Sequence, residues 1–226
     1  MQEYKFDEFK IYQYRWKEVD ANSFLVVSNR KALLFDVIED DELFDTLTNL
    51  DEITVILTHS HFDHIYGLNQ LRRLNTNIVV YATKQCSNNI GNKYRNMSAS
   101  ANAFMAFYKG KSSGREIEPI CCEPADKVFE GETTIEWCGH FIELFAVYGH
   151  SNDGLLAVID GKYLFSGDTL LSCPTVTRFP GGDTVKFWEE DMPKIKKMGN
   201  KVVFPGHGLP SDLDRMLNIN VRPEKI

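Results

Sequence analysis

Thr58-His59-Ser60-His61-Phe62-Asp63-His64 follows the apolar run Ile53-Thr54-Val55-Ile56-Leu57. That run is short and rich in β-branched residues, which reads as a buried strand. Four of the seven motif residues can ligate a metal. Three further ligand types sit later in turn-like settings: Gly149-His150-Ser151, Gly167-Asp168-Thr169 and Gly206-His207-Gly208. Together they use five of the six histidines in the chain, and scattered surface histidines would not gather in such contexts. The pattern is that of a dinuclear metal site.

The spacing explains the chemistry. In extended backbone residues i and i+2 point to the same side, so His59 and His61 can reach one ion. Asp63 and His64 follow where the chain turns into a helix and can address a second. Asp168 comes after a strand end and a glycine, where a carboxylate can bridge two metals through its two oxygens. His150 and His207 each follow glycine, which lets the backbone approach closely. Imidazole and carboxylate ligands without thiolate suit zinc foremost, with iron or manganese as alternatives. Two such ions roughly 3.5–4 Å apart can share a hydroxide that serves as a nucleophile near neutral pH.

Around the motif the pattern alternates strand and helix. Phe9 to Trp16, Ser23 to Val27 and Ala32 to Val37 read as strands, with Asn29-Arg30-Lys31 as a hairpin signal. Leu43, Phe44, Leu47 and Leu50 share a helical face. Ile65, Leu68, Leu71 and Leu74 predict a helix opening near Asp63, and Ile78 to Tyr81 a strand, completing a βαβ unit. Met97 to Tyr108 reads as a helix, followed by the break Gly110-Lys111-Ser112-Ser113-Gly114. Strands are predicted at Thr134 to Cys138, Phe141 to Tyr148, Leu155 to Ile159 and Tyr163 to Phe165. A helix over Val185 to Met198, with Pro193 inside it, and a strand over Lys201 to Phe204 follow. One domain over residues 1–226 is expected, with 84–118 as a lid or insert in which Phe104, Phe107 and Tyr108 line a pocket or pack as core.

Composition sets the outer bounds. The chain has 226 residues, 43% hydrophobic and 12% aromatic, enough for a substantial core. A net charge of −7 argues against nonspecific nucleic-acid or acidic-membrane binding. No apolar run approaches a membrane span, and Met1 to Asp7 is charged where a signal peptide needs apolar residues, so a cytoplasmic protein is expected. Five cysteines, with no CxxC pair, suit free thiols in a reducing compartment. The remaining features have plain readings: His140 as structural or exposed, Cys121 and Cys122 as free thiols, Cys173 as a neighbour of the site, and Trp188, Met192 and Ile195 as core.

His59-Ser60-His61-Phe62-Asp63-His64, Gly149-His150-Ser151, Gly167-Asp168-Thr169-Leu170 and Pro205-Gly206-His207-Gly208 resemble, in order, the motifs of the metallo-β-lactamase-fold superfamily. Phe179-Pro180-Gly181-Gly182-Asp183 is similar to the segment after the bridging aspartate in its glyoxalase-II-like (hydroxyacylglutathione hydrolase) branch. The resemblance implies an α/β (α+β) fold, a four-layer αββα sandwich. It implies one metal on His59, His61 and His150, a second on Asp63, His64 and His207, and Asp168 between them. Asp63 and Asp168 are then the catalytic carboxylates, and Thr58 and Ser151 orient imidazoles. The branch differs at two places: His150-Ser151-Asn152-Asp153 replaces its His-Thr-Pro-Gly, and Tyr66 stands before Gly67 where it has two glycines. Only 19 residues follow His207, against the helical glutathione-holding domain of glyoxalase II.

The function these features lead to is hydrolysis of a small ester, thioester or lactone by a metal-bridging hydroxide. The alternatives are a mononuclear iron oxygenase of the persulfide-dioxygenase type, a small-phosphodiester hydrolase, or a metal-stabilised binding protein. The expected partner is a small-molecule substrate, with no nucleic acid and no membrane; oligomeric state is not legible.

Overall fold

The computed structural model describes residues 1–6, 9–74, 77–109 and 115–222. Gly110 to Gly114, the expected break, and the side chain of Tyr108 lie outside the described residues. The chain forms two compact units, Met1–Val128 and Phe129–Ile226, each built on one sheet. The class is mixed α/β with two sheets and helices. No described helix is long and apolar enough to cross a membrane.

The first unit opens with four antiparallel strands, β1 (Gln2–Lys5), β2 (Lys10–Trp16), β3 (Ala21–Ser28) and β4 (Lys31–Phe35). Helix α1 (Asp41–Leu47) is capped by Asp40, whose side chain accepts from Leu43 N, and turns Leu43, Phe44 and Leu47 inward. It leads to β5 (Glu52–Ile56), parallel to β4. Helices α2 (Phe62–Ile65) and α3 (Leu68–Leu74) then cross to β6 (Ile78–Thr83), parallel to β5. The core of this unit gathers Leu25, Leu34, Val55, Leu57, Ile65 and Val80. Because β4 and β5 run parallel, Asp36 and Thr58 leave the sheet at the same edge. Carboxyl ends of parallel strands are where α/β sheets place ligands.

The helix expected near Asp63 is interrupted at Tyr66 and Gly67. A Cβ on Gly67 would lie 2.3 Å from the Ile38 carbonyl oxygen and 2.8 Å from Phe44 Cζ. Its N–H donates to the Val37 carbonyl at 2.9 Å. Tyr66 packs as core, stacked on Trp16 with ring centroids 4.9 Å apart. Residues 84–118 hold α4 (Lys84–Ile90), a 3₁₀ turn and α5 (Ala101–Lys109). Side chains bind this insert to the returning chain: Asn102 exchanges two hydrogen bonds with the Ile117 backbone, and Asn96 donates to the Ile90 and Ile120 carbonyls. Cys122 is buried there, which pushes its thiol up to about 12, whereas Cys121 is exposed.

After β7 (Lys127–Phe129), the second unit's sheet has β8 (Glu132–Trp137), β9 (His140–Val147), β10 (Gly154–Ile159) and β11 (Tyr163–Gly167), all antiparallel to their chain neighbours. The helical stretch that follows is α6 (Thr184–Lys186), a π-helical turn (Phe187–Asp191) and α7 (Met192–Lys196). In the π turn Met192 N–H reaches back to the Phe187 carbonyl. Pro193, next in line, has no N–H to donate, and the ladder shifts register before it. β12 (Val202–Pro205) runs parallel to β11, and β13 (Ser211–Asp212) and α8 (Leu213–Ile219) close the unit. Leu156, Val158, Leu164, Phe187, Ile195 and Val203 form its core.

Gly67→Ala forces a methyl group into backbone. Overpacking of this kind costs about 3 kcal/mol, so the urea unfolding midpoint should fall well below that of the wild type.

Candidate metal centre

In the first unit the histidine motif leaves the carboxyl end of β5. The side chain of Asp36, at the matching end of β4, reaches it from below. Asp36 is buried and sits at φ 58°, a left-handed conformation that aspartate tolerates better than most residues. Its Oδ1 accepts from Thr58 N at 2.7 Å, and its Oδ2 accepts from Thr58 Oγ1 at 2.7 Å and from His64 Nδ1 at 2.8 Å. Thr58 has one hydroxyl proton, and Asp36 takes it. Its oxygen is therefore the acceptor for His59 Nδ1, 3.1 Å away. His59 and His64 thus both donate through Nδ1, which leaves Nε2 as the nitrogen for a metal. Their rings lie together, His59 with centroids 4.5 Å from His61 and 4.3 Å from His64. Asp63 Oδ2 is 3.8 Å from His64 Nε2. The backbone N–H of Phe62, opening α2, donates to the Asn96 carbonyl at 2.8 Å, so the insert steadies the motif.

In the second unit the ligand candidates come from the ends of β9, β11 and β12, which all point the same way. A register shift between Phe165 and Gly167 turns Asp168 out of β11, and Gly206 N donates to the Gly167 carbonyl at 2.8 Å. His207 follows at the end of β12, and its Nε2 is 3.3 Å from Asp168 Oδ2. His150 Nε2 is 3.6 Å from the same oxygen, and its Nδ1 donates to the Val176 carbonyl at 2.7 Å. Gly182, in the Phe179 to Asp183 segment, lies against this loop: a Cβ there would be 2.8 Å from the His150 carbonyl oxygen.

Every expected site residue therefore belongs to one of two clusters, His59, His61, Asp63 and His64 in the first unit and His150, Asp168 and His207 in the second. Thr58 orients an imidazole, as expected. Ser151 does not: its buried Oγ has no hydrogen-bond partner among the described residues. His140 pairs with Asp160 at 2.6 Å, a structural role. Two residues escaped the sequence reading. Asp36 ends an apolar strand, and a carboxylate there was the only signal. Asp191, on the π turn, accepts from Tyr148 N and from Gly149 N; burial, outweighing these hydrogen bonds, pushes its carboxyl up to about 6.

The imidazoles themselves test whether a divalent ion fits. His59, His64 and His150 each have Nδ1–H committed to an oxygen, which is how metal-ligating histidines are held. All three are buried. A set of neutral imidazoles and carboxylates matches zinc, iron or manganese alike.

The fold and these clusters define a metal-ligating α/β protein. A profile of the Metallo-beta-lactamase superfamily matches residues 16–207, and the chain belongs to that superfamily of metallo-hydrolases. The probable metallo-hydrolase YqgX of Bacillus subtilis (strain 168) is 27% identical over 156 residues, 67% of each chain. The solved structure of the BLEG-1 B3 metallo-beta-lactamase is similar with a TM-score of 0.74 and 23% identity, covering 93% of this chain and 97% of that one. TTHA1623, solved in a di-iron-bound form, gives 0.71 at 22% identity over 92% and 98%. ETHE1 from Myxococcus xanthus gives 0.66 at 18% identity over 93% and 82%. At these identities the structural likeness is one of fold.

Removing the Asp36 carboxylate strands the Thr58 N–H and the His64 Nδ1–H in the core. Asp36→Ala is expected to lose about 3 kcal/mol, read from urea denaturation, and Asp36→Asn, which keeps one oxygen acceptor, to lose less. Asp191 holds its proton more tightly in the folded protein than unfolded. Its contribution is full below the ordinary value of 3.8 and is lost as pH rises through about 6. The stability of the wild type relative to Asp191→Asn should therefore fall between pH 4 and 7 in matched denaturation curves.

Proposed function

We propose that this chain is a dinuclear metal-dependent hydrolase of a small ester, thioester or lactone, in the glyoxalase-II-like branch of its superfamily. The observation that carries the reading is the position of Asp168: one carboxylate oxygen lies 3.6 Å from His150 and 3.3 Å from His207. The family motifs assign these two imidazoles to different ions, and a carboxylate close to both supports reading it as their shared ligand.

In this reading the two units act as one domain over residues 1–226. His59, His61 and His150 would hold one ion, and Asp63, His64 and His207 the other, with Asp168 shared. Zinc is the foremost candidate. When bound, divalent ions acidify water toward neutral pH and polarise a carbonyl. The protein's own part is to fix the tautomer of the imidazoles and to aim them. Asp36 does so for His59, through Thr58, and for His64, and the Val176 carbonyl does so for His150. Asp63, half-buried beside His64, takes up the proton lost by the attacking water. Within the insert, half-buried Phe104 and exposed Phe107 would offer an apolar surface to an acyl group. The acidic chain favours a small substrate over nucleic acid, and a cytoplasmic location is proposed with it.

Elemental analysis of protein purified without added metal is the first test. About two zinc ions per chain, with esterase, thioesterase or lactonase turnover, is the expected result. One iron per chain with oxygen uptake on persulfides would instead establish the oxygenase. Asp168→Ala should abolish turnover, a drop of at least about 100-fold, while circular dichroism shows a folded chain.

A further inference from the structure

We infer that Asp191 is the positioning residue for His150: its carboxylate fixes the backbone from which that imidazole projects, and so sets the affinity of His150 for a divalent ion. The inference rests on the metal-site reading above and extends it to a residue outside the family motifs.

His150 leaves the sheet just beyond β9, where the strand ladder no longer satisfies the main chain. The two N–H groups before it go to Asp191. Tyr148 N donates to both carboxylate oxygens at 3.2 Å, and Gly149 N donates to Oδ2 at 2.7 Å. Asp191 is 2% exposed, and it forms no ion pair within 4 Å among the described residues. Its surroundings include Phe187, Met192 and Ile195 of the apolar core. A buried carboxylate without an ion pair is costly, and a neutral side chain could accept an N–H at less cost. Such groups tend to sit where a site needs them.

The fit is close on every side. The π turn brings Phe187 and Asp191 to the loop together: a Cβ on Gly149 would be 2.5 Å from Phe187 Cβ and 2.6 Å from Asp191 Oδ2. Asp183 N donates to the Gly149 carbonyl at 2.8 Å. The ring of His150 is tied separately, through Nδ1 to the Val176 carbonyl. The ring is therefore held at one nitrogen and its backbone at Asp191, and these two restraints aim Nε2 toward Asp168. Loss of either leaves the imidazole present but loosely aimed. Outer partners of metal-ligating histidines typically contribute 10- to 100-fold in affinity.

Asp191→Asn keeps the volume and removes the charge, and turns an amide N–H₂ toward backbone donors. Two measurements apply to it. In metal-free protein, deuterium exchange across residues 148–151 should be slow in the wild type and clearly faster in the variant. In competition with a chelator, the zinc dissociation constant should rise about 10- to 100-fold. Met192→Ala, which weakens the same core without touching the loop's hydrogen bonds, should leave zinc affinity within about twofold of wild type, by contrast with that range. Unchanged exchange and unchanged zinc affinity in Asp191→Asn would overturn the inference, as would an equal affinity loss in Met192→Ala. If the wild type itself binds no divalent ion, the metal reading fails, and exchange in the metal-free pair still decides whether Asp191 holds the loop. If Asp191→Asn does not fold, Asp191→Glu, one methylene longer, is subjected to the same two measurements with the same expected outcomes.

Discussion

The carboxylate of Asp36 takes hydrogen bonds from Thr58 and His64 inside the first unit, and two of them end, directly or through one hydroxyl, at histidine rings. An imidazole can ligate through either nitrogen. What decides is which nitrogen keeps the proton, and here one buried acid makes that choice for His59 and His64 together. The rest of the unit can be understood as what is needed to bring this acid under the motif. β4 and β5 must be parallel neighbours, so that their ends coincide. The chain must turn sharply after β4, which the left-handed backbone at residue 36 achieves. Gly67 must be small enough for the Ile38 carbonyl to pass beside it.

The second unit solves the same problem by other means. Parallel β11 and β12 bring Asp168 and His207 to one edge, and a register shift turns the aspartate outward. His150 follows β9, which pairs antiparallel with β8 and β10, so no parallel strand end lies beside it. Its loop is instead wedged among groups that leave no room for side chains at Gly149 and Gly182. An imidazole with one nitrogen satisfied by a fixed acceptor is a pre-oriented ligand that needs little reorganisation.

Membership of the metallo-beta-lactamase superfamily and histidines held through Nδ1 both fit a metal centre in a metallo-hydrolase-like protein. The insert is fastened by the buried Asn96 to Ile120 in the chain that follows it and, through the Asn96 carbonyl, to the first turn of the histidine motif.

The histidine motif and the strand before it were legible in the sequence because both are local. Alternation over residues 59–61 follows from the pleat, and β-branched runs mark strands wherever they fall. The later ligands were legible for a similar reason, each beside a glycine at the end of an apolar run. Asp36 was not, because its partner Thr58 is 22 residues away and no periodicity links them. Asp191 reads on a helical wheel as one more acid, until the π turn before Pro193 brings it to the Tyr148–Gly149 amides. The interruption at Tyr66 and Gly67 likewise depends on a carbonyl from residue 38. By itself the sequence determined which residues are candidate ligands and which segments are strands, since those follow from chemistry and short-range geometry. Only the tertiary structure decided which nitrogen His59, His64 and His150 present, since that depends on acceptors brought close by folding.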